Sequence, residues 1–166
     1  MQAVYYYQSP LGEMLMTAEK NRLTGLWFAD QKYAPDFPEN AGNPGEKILP
    51  VFAETVRWLD KYFSGGNPDF LPEMEIAGTD FRKAVWHILA EIPYGETATY
   101  GRIAKQLEEE TGKRVSARAV GQAVGRNRFT LLIPCHRVVG ADGKLTGYAG
   151  GLSRKEALLK LEGIIR

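Results

Sequence analysis

The sequence predicts two domains, a small α/β domain over residues 1–78 and a mainly helical domain over residues 79–166. Its 166 residues suffice for one large domain or two small ones. Apolar residues make up 44% of the chain and charged residues 25%, values that argue against a disordered protein. The two halves differ in hydrophobic pattern and in charge, and these differences support the division.

The N-terminal half begins with three short segments rich in aromatic and aliphatic residues, "AVYYYQS", "EMLMTAE" and "RLTGLWFA". The intervening "PLG" and "KN" are turn signals, so the pattern predicts a three-stranded meander. Residues 33–50 are rich in Pro, Gly and Asn and predict a loop. Residues 67–80 predict a connector with room for one further strand.

A helix is predicted over residues 48–66, because apolar residues recur there at near-helical spacing and two glycines follow. The apolar positions are Val51, Phe52, Val56, Leu59 and Phe63.

The C-terminal half predicts four helices and one buried strand. Asp80 is the expected cap of a helix over 81–92, and a second helix follows over 99–110. Ser116 is the expected cap of a third, short helix that ends at Gly125. The second and third helices are compatible with a helix-turn-helix, although the loop between them is long. "FTLLIP" (129–134) predicts a buried strand, and the last helix is expected to begin at Ser153.

Charge is distributed unevenly along a chain whose formal net charge is only +1. Residues 1–79 carry six Lys/Arg and eleven Asp/Glu, whereas residues 80–166 carry fifteen and nine. A basic C-terminal unit is suited to a polyanion such as a nucleic acid, although chance segregation of surface charge gives the same pattern. No apolar run reaches the ~20 residues that span a bilayer, and no secretory signal is evident, so the expected location is the cytoplasm.

The single cysteine, Cys135, lies in "LLIPCHRVVG" and cannot form an intramolecular disulfide. With one cysteine and two histidines, His87 and His136, we expect no metal site. A lone cysteine is commonly a small buried apolar residue, but neighbouring positive charge favours a reactive thiolate. Both interpretations remain open at this stage.

His136 follows the cysteine directly and is a candidate base, which would need an acidic group to orient it. On a strand, Cys135 and His136 would point to opposite faces, but Pro134 suggests a turn. Chain order does not identify the orienting acid. The candidates are Asp142, Glu156 and Glu162.

The segment "GADGKLTGYAGG" (140–151) contains five glycines, which allow a backbone to approach a ligand closely. It is not a phosphate-binding P-loop, because Leu145 follows Gly143-Lys144 where Ser or Thr is needed. Either a surface loop or a pocket wall around Tyr148 fits this composition.

"IPCHRVVG", "LTGYAGG" and "KEALLKLEG", preceded by "PYGETATYGRIA" and "SARAVGQAVGRN", resemble the O6-alkylguanine-DNA alkyltransferases. The match runs from Phe81 to Gly163 in the right order, and its Pro-Cys-His-Arg core is highly specific to that family. The resemblance implies a ribonuclease H-like α/β (α+β) N-terminal domain and a winged-helix-like C-terminal domain with a helix-turn-helix. The N-terminal segment itself carries no comparable motif.

The activity implied by the resemblance is DNA repair by direct reversal. The alkyl group of O6-alkylguanine, and of O4-alkylthymine, in double-stranded DNA would pass irreversibly to Cys135 after the base is flipped out. The protein would act once, without a cofactor or metal, as a monomer that enters the minor groove. It would be cytoplasmic, and associated with the nucleoid when bound to DNA.

The resemblance also implies the catalytic residues. His136 would deprotonate Cys135 through a water molecule, and Glu162 would orient the imidazole. Tyr100 would offer its hydroxyl to the guanine ring as negative charge develops. Asn127 would tie the DNA-binding helix to the active-site segment.

Substrate and DNA contacts follow in the same way. Arg118 would fill the gap left by the flipped base, and Arg137 would have a structural or electrostatic role. The carbonyls of Cys135 and Val138 would read the amino edge of the base, and N–H groups near Tyr148 and Ala149 would hold its oxygen. Further contacts are implied at Ser116, Ala117 and Gly150, with phosphate contacts at Lys113, Arg114, Arg126 and Arg128.

The chain departs from the family pattern at several positions. Arg128 and Thr130 stand where many members have proline, Ala149 replaces a serine of some members, and the loop 108–116 is long. These differences bear on the preferred alkyl size and on the DNA contacts. Two other functions compete with this one: a lesion-binding protein without catalysis, which the presence of Cys135 disfavours, and an unrelated thiol hydrolase, which would not need Arg118.

Overall fold

The computed structural model describes residues 2–36 and 48–166, which form two compact units. The first unit contains the described residues up to Ile76 together with Arg128–Thr130, and the second contains Ala77–Asn127 and Leu131–Arg166. Most of the loop predicted over 33–50 lies outside the described residues. The expected combination of a small sheet domain and a helical C-terminal domain is confirmed.

In the first unit, the predicted meander is an antiparallel sheet of β1 (Ala3–Ser9), β2 (Gly12–Glu19) and β3 (Arg22–Phe28), in that order. Lys20 and Asn21 join β2 to β3 with φ of 50° and 58°. A tight hairpin turn with positive φ at both central residues matches the right-handed twist of the strands, so this pair fixes the register. The centre of β2 is buried on both faces.

The helix α1 (Pro50–Phe63) packs on this sheet through a face that differs slightly from the predicted one. Val51, Phe52 and Leu59 are buried as expected, whereas Val56 and Phe63 are only half-buried. Thr55 is buried instead, and its hydroxyl donates to the Val51 carbonyl at 2.8 Å. Trp58 and Tyr62 complete this face and stack with ring centroids 5.3 Å apart.

The outer edge of β3 is paired at two isolated points rather than by a fourth strand. Leu23 pairs with Met74 from the predicted connector, and Leu26 pairs with Phe129. The Leu26 N–H donates to the Arg128 carbonyl at 2.8 Å, and the Thr130 N–H donates to the Leu26 carbonyl at 2.9 Å. Covering the polar groups of a strand edge in this way protects it from pairing with other chains.

The second unit begins with three helices: α2 (Asp80–Ala90), α3 (Tyr100–Thr111) and α4 (Ala117–Gly125). The predicted cap Asp80 is wrong by one residue, because the Thr79 hydroxyl accepts from the Arg82 N–H. Ser116 caps α4 as predicted, accepting from the Ala119 N–H at 3.1 Å. The helices α3 and α4 pack together as a helix-turn-helix.

The remainder of the second unit surrounds the cysteine. A 3₁₀ turn (Cys135–Arg137) leads into β5 (Val138–Val139), which pairs in parallel with β4 (Ala98–Thr99). The last helix, α5 (Leu152–Leu161), begins after Gly151 and not at the predicted Ser153, because Gly151 supplies the φ of 96° that the entry requires.

The predicted strand over 129–134 is wrong. Its residues are buried as the apolar run suggested, but Leu131 has a φ of 74° and turns the chain within the run. Phe129 and Thr130 belong to the first unit, and Leu131 returns to the second.

Candidate active site

Cys135 and His136 lie in the 3₁₀ turn and not on a strand. The Arg137 N–H donates to the Pro134 carbonyl at 3.0 Å, and the Val138 N–H donates to the Cys135 carbonyl. Successive side chains on a 3₁₀ turn point about 120° apart, not to opposite faces as on a strand. The turn anticipated from Pro134 is therefore present.

Glu162, at the end of α5, is the acid that contacts His136. Its Oε2 atom lies 2.5 Å from Nε2 of His136, and both side chains are fully buried. Of the other two candidates, Glu156 pairs with Lys160 on the exposed side of α5, and Asp142 is exposed.

The second carboxylate oxygen of Glu162 also accepts hydrogen bonds. Nε of Arg137 donates to Oε1 at 2.8 Å, and the Gly95 N–H donates to the same atom at 3.0 Å. Arg137 additionally donates from Nη1 to the Ile92 carbonyl at 2.8 Å, and its guanidinium lies 5.6 Å from the ring centre of Tyr94. Arg137 thus forms a buried ion pair rather than a surface one.

These contacts determine the protonation of the pair. Burial alone raises the pKa of Glu162, but the hydrogen bond from His136, the charge that His136 carries once protonated, and the hydrogen bonds from Arg137 and the Gly95 N–H outweigh it and lower the pKa to about 2. Burial lowers the pKa of His136, against the opposing effect of Glu162. The resting pair is therefore a carboxylate and a neutral imidazole. Because a carboxylate only accepts hydrogen bonds, Nε2 of His136 carries the proton and Nδ1 carries the lone pair.

Cys135 is almost completely buried, and this burial raises the pKa of its thiol. A hydrogen bond from Asn127, the positive charge of Lys155 and the backbone N–H groups of Cys135 and His136 act in the opposite direction. The surroundings thus supply four features that favour the thiolate within a site whose burial disfavours it.

Lys155 was not identified from the sequence, although it is fully buried beside this site. Its ammonium donates to the Val138 carbonyl at 2.6 Å and to the Thr146 carbonyl at 2.8 Å. Burial lowers the pKa of Lys155 to about 8, while the charge of Cys135 acts to raise it. On α5, Lys155 lies three and four residues before the buried Leu158 and Leu159, which places it on the apolar face of the helix. This helical spacing was the sequence signal that could have identified Lys155 as buried.

Asn127 connects the end of α4 to the segment before the cysteine. Its amide Nδ2 donates to the Ile133 carbonyl at 2.7 Å, and the Cys135 N–H donates to the same carbonyl at 2.7 Å. The helix cap is Arg126, so the side chain of Asn127 is available for this connection and for the thiol.

Tyr100 begins α3, and its ring packs near Gly121 of α4. The Thr146 hydroxyl donates to the Tyr100 hydroxyl oxygen at 3.2 Å. The carbonyls expected to read the base are both within the site, and each already accepts one hydrogen bond, Cys135 from the Val138 N–H and Val138 from Lys155. A carbonyl has two lone pairs, so each can accept another hydrogen bond.

Tyr148, Ala149 and Gly150 form the chain just before α5. The Tyr148 hydroxyl is buried and has no hydrogen-bond partner within the described part of the chain. Burial raises the pKa of Tyr148 well above its usual value, and the charge of Cys135 adds to this effect. The Gly150 carbonyl accepts from Nη1 of Arg154 at 3.2 Å.

The residues predicted to contact DNA lie outside this buried cluster. Arg118 is exposed in the first turn of α4, next to the exposed Ser116 and Ala117. Lys113, Arg114 and Arg126 are exposed as well. The remaining predicted phosphate contact, Arg128, belongs to the first unit, as does Thr130, one of the departures from the family pattern. Arg128 lies over the Trp27 ring at 5.8 Å, and the Thr130 hydroxyl donates to Gln31 at 2.9 Å.

Within residues 2–36 and 48–166, no group of three or more His, Cys, Asp or Glu side chains is arranged to hold a metal ion. No helix in these same ranges combines the length and apolar character needed to cross a bilayer.

Comparison with known proteins agrees with this arrangement. Two family models match: the DNA-binding domain of 6-O-methylguanine DNA methyltransferase over residues 80–164, and the ribonuclease-like domain of the same family over residues 4–72. The methylated-DNA–protein-cysteine methyltransferase of Mycobacterium leprae is 44% identical over 158 residues, covering 93% of this chain and 88% of the relative. That of Methanosarcina acetivorans is 44% identical over 162 residues, covering 96% and 99%.

A solved structure gives the same result for the fold. The crystal structure of Mycobacterium tuberculosis OGT in complex with DNA aligns with a TM-score of 0.84 at 42% identity, covering 97% of this chain and 93% of that one. The resemblance drawn from the motifs is therefore confirmed. The chain belongs to the 6-O-methylguanine DNA methyltransferase family.

Proposed function

We propose that this protein repairs DNA by transferring the alkyl group of O6-alkylguanine to Cys135, once and irreversibly. The observation that carries the proposal is the buried imidazole of His136, which directly follows Cys135 in the chain and is held by an ion-paired carboxylate. Oε2 of Glu162 lies 2.5 Å from Nε2 of His136, and Oε1 of Glu162 lies 2.8 Å from Nε of Arg137. The names of its relatives, methylated-DNA–protein-cysteine methyltransferases, support the same chemistry.

The first step is ionisation of the thiol. The lone pair on Nδ1 of His136 takes the Cys135 proton through a water molecule, and Glu162 stabilises the imidazolium that forms. This division of roles follows from the tautomer that the carboxylate imposes on His136. The Asn127 amide and the Lys155 ammonium then stabilise the negative sulfur, as their effects on the Cys135 pKa indicate.

The second step is a displacement at the alkyl carbon. A new S–C bond forms as the C–O6 bond breaks, and its electron pair passes to the guanine. The Tyr100 hydroxyl donates a hydrogen bond to the ring as this negative charge develops, so the charge is not stabilised by water alone. The carbonyls of Cys135 and Val138 accept from the amino edge, and N–H groups near Tyr148 and Ala149 hold the oxygen.

The product is a thioether, a very poor leaving group, and no group of the site can regenerate the thiol. Each molecule therefore acts once. A thiol hydrolase would need a route for water to release the alkyl group, and a purely lesion-binding protein would not need the ionising contacts around Cys135.

DNA binding is assigned to α4 and its surroundings, through the minor groove. Arg118 is exposed on the first turn of α4, where it can occupy the space left by a flipped base. Lys113, Arg114 and Arg126 supply positive charge for phosphates, which suits binding without sequence preference. We further propose that the protein acts as a monomer in the cytoplasm, where it meets the DNA.

The test is a repair assay with duplex oligonucleotide in several-fold molar excess over protein. We expect the amount of repaired O6-methylguanine to rise and then stop at one lesion per protein molecule. Continued repair would indicate a hydrolase, and tight binding without repair would indicate a lesion-binding protein. A parallel duplex containing O4-methylthymine tests the second proposed substrate with the same readout.

A further inference from the structure

Thr146 contacts the side chain that donates to the departing guanine, although no role was expected for it. Its hydroxyl donates to the Tyr100 hydroxyl oxygen at 3.2 Å, across 46 residues of chain. Both residues are half-buried, so the contact lies at the margin of the buried site rather than in open solvent.

Two separate contacts fix the orientation of Thr146. Its carbonyl accepts from the buried Lys155 ammonium at 2.8 Å. Its methyl group lies against Gly140, where an added Cβ would come within 2.8 Å of Cγ2, so the methyl occupies space that any other residue at 140 would fill. Because a β-branched side chain has few rotamers, fixing the backbone and the methyl also fixes the hydroxyl.

Tyr100, the partner in this hydrogen bond, is also fixed in position. It is the first residue of α3, after the Thr99 cap, and its ring lies 3.7 Å from the Cβ that alanine would have at Gly121. The phenol oxygen of Tyr100 thus accepts from a hydroxyl group, that of Thr146, which is positioned by contacts that do not involve Tyr100.

The direction of this hydrogen bond determines what Tyr100 can do. A phenol has one hydrogen to donate and lone pairs to accept with. When a lone pair of Tyr100 is used by Thr146, its own O–H is left to donate elsewhere. Accepting a hydrogen bond also polarises the phenol and makes it a better donor.

We propose that Thr146 is a positioning residue for alkyl transfer, whose hydroxyl directs the Tyr100 O–H toward the departing guanine. This inference rests on the proposed function, because it concerns the rate of that reaction. Thr146 itself contacts neither the alkyl group nor the sulfur; it acts through Tyr100.

The experiment measures the single-turnover rate of methyl transfer from duplex DNA carrying O6-methylguanine. Thr146→Val keeps the shape of the side chain and removes the hydroxyl, and we expect it to slow transfer about fivefold, the effect of one hydrogen bond. Thr146→Ser and Thr146→Ala both lose the methyl group, so the ratio of their rates isolates the hydroxyl even if Thr146→Val folds poorly. The serine variant is expected to be about fivefold faster than the alanine variant.

A double-mutant cycle separates positioning from a merely structural role. In a Tyr100→Phe background the partner oxygen is absent, so Thr146→Val should change the remaining rate by less than about twofold. Thr111→Val, which removes a hydroxyl at the far end of α3, is the control and should leave the rate unchanged.

An equal loss from Thr146→Val with and without the Tyr100 hydroxyl would overturn the inference. So would equal rates for the serine and alanine variants. Failure of the unmodified protein to transfer methyl groups at all is a different result, because it would contradict the proposed function itself.

Discussion

Individual residues determine the charge of the active site. Glu162 can stay ionised in a fully buried position because Arg137, Gly95 and His136 together satisfy its two oxygens. Burial would otherwise make a carboxylate neutral. The acid therefore has two roles: it holds the tautomer of His136, and it forms the buried ion pair that fixes the turn after Cys135.

The pKa of Glu162 leads to a prediction about stability in acid. Its value of about 2 in the folded protein lies below the ordinary 4.5, so the unfolded chain takes up the proton first. The stabilisation is complete above pH 4.5 and is lost as the pH falls toward 2. Across this window we expect the free energy of unfolding to drop by about 3 kcal/mol more in the unmodified protein than in Glu162→Gln.

Urea unfolding at a series of pH values measures this difference. Glu156→Gln, which alters an exposed pair on the same helix, serves as the control and should follow the unmodified protein. Parallel curves for Glu162→Gln and the unmodified protein would show that Glu162 does not carry a lowered pKa.

How much of the site could be predicted depends on the kind of contact. The motif placed Cys135, His136 and Glu162 in the sequence, and the resemblance proposed their pairing. Lys155 and Thr146 were missed because a lysine is normally exposed and a threonine between glycines resembles a loop residue. Only the packed structure shows that the buried Lys155 ammonium donates to the Thr146 carbonyl and that its charge favours the thiolate of Cys135.

At the level of elements, the apolar patterns predicted the helices well and their first residues less well. Ser116 was correct because a serine directly precedes the apolar pattern of α4. Thr79 and Asp80 are adjacent and both are good caps, so the sequence cannot choose between them. The apolar run 129–134 was interpreted as a strand because short buried runs have no period that excludes a turn, and Leu131 turns there.

The Ser116 cap leads to a prediction for α4, the helix that carries Arg118. Its hydroxyl satisfies the Ala119 N–H at 3.1 Å, and alanine would leave that group to water. We expect Ser116→Ala to lower the free energy of unfolding by about 1 kcal/mol. Ser153→Ala is the matched control, since Ser153 lies within the first turn of α5 and does not cap it; its effect should stay within about 0.5 kcal/mol.

Denaturant unfolding of the two variants and the unmodified protein gives both values. A larger loss of unfolding free energy in Ser153→Ala than in Ser116→Ala would contradict the assignment of Ser116, and not Ser153, as a helix cap.

Across the whole molecule, the least predictable feature is the membership of residues 128–130 in the first unit. The Thr130 hydroxyl reaches Gln31, 99 residues earlier, and Phe129 pairs with Leu26. No local pattern encodes pairing at such a separation, so the sequence suggested an uninterrupted C-terminal domain. The basic character of residues 80–166 is, by contrast, a property of composition, and it suits the DNA-binding role that the family assigns to this part of the chain.

The proposed repair requires that Cys135 itself receives the alkyl group, and peptide mass mapping after reaction with O6-methylguanine DNA measures whether it does. The chain has one cysteine, so a single peptide contains every thiol. We expect that peptide to gain the mass of one methyl group in place of one hydrogen, and the Cys135→Ala protein to gain none. A methyl group on any other residue, or repaired DNA with an unmodified Cys135 peptide, would contradict the account.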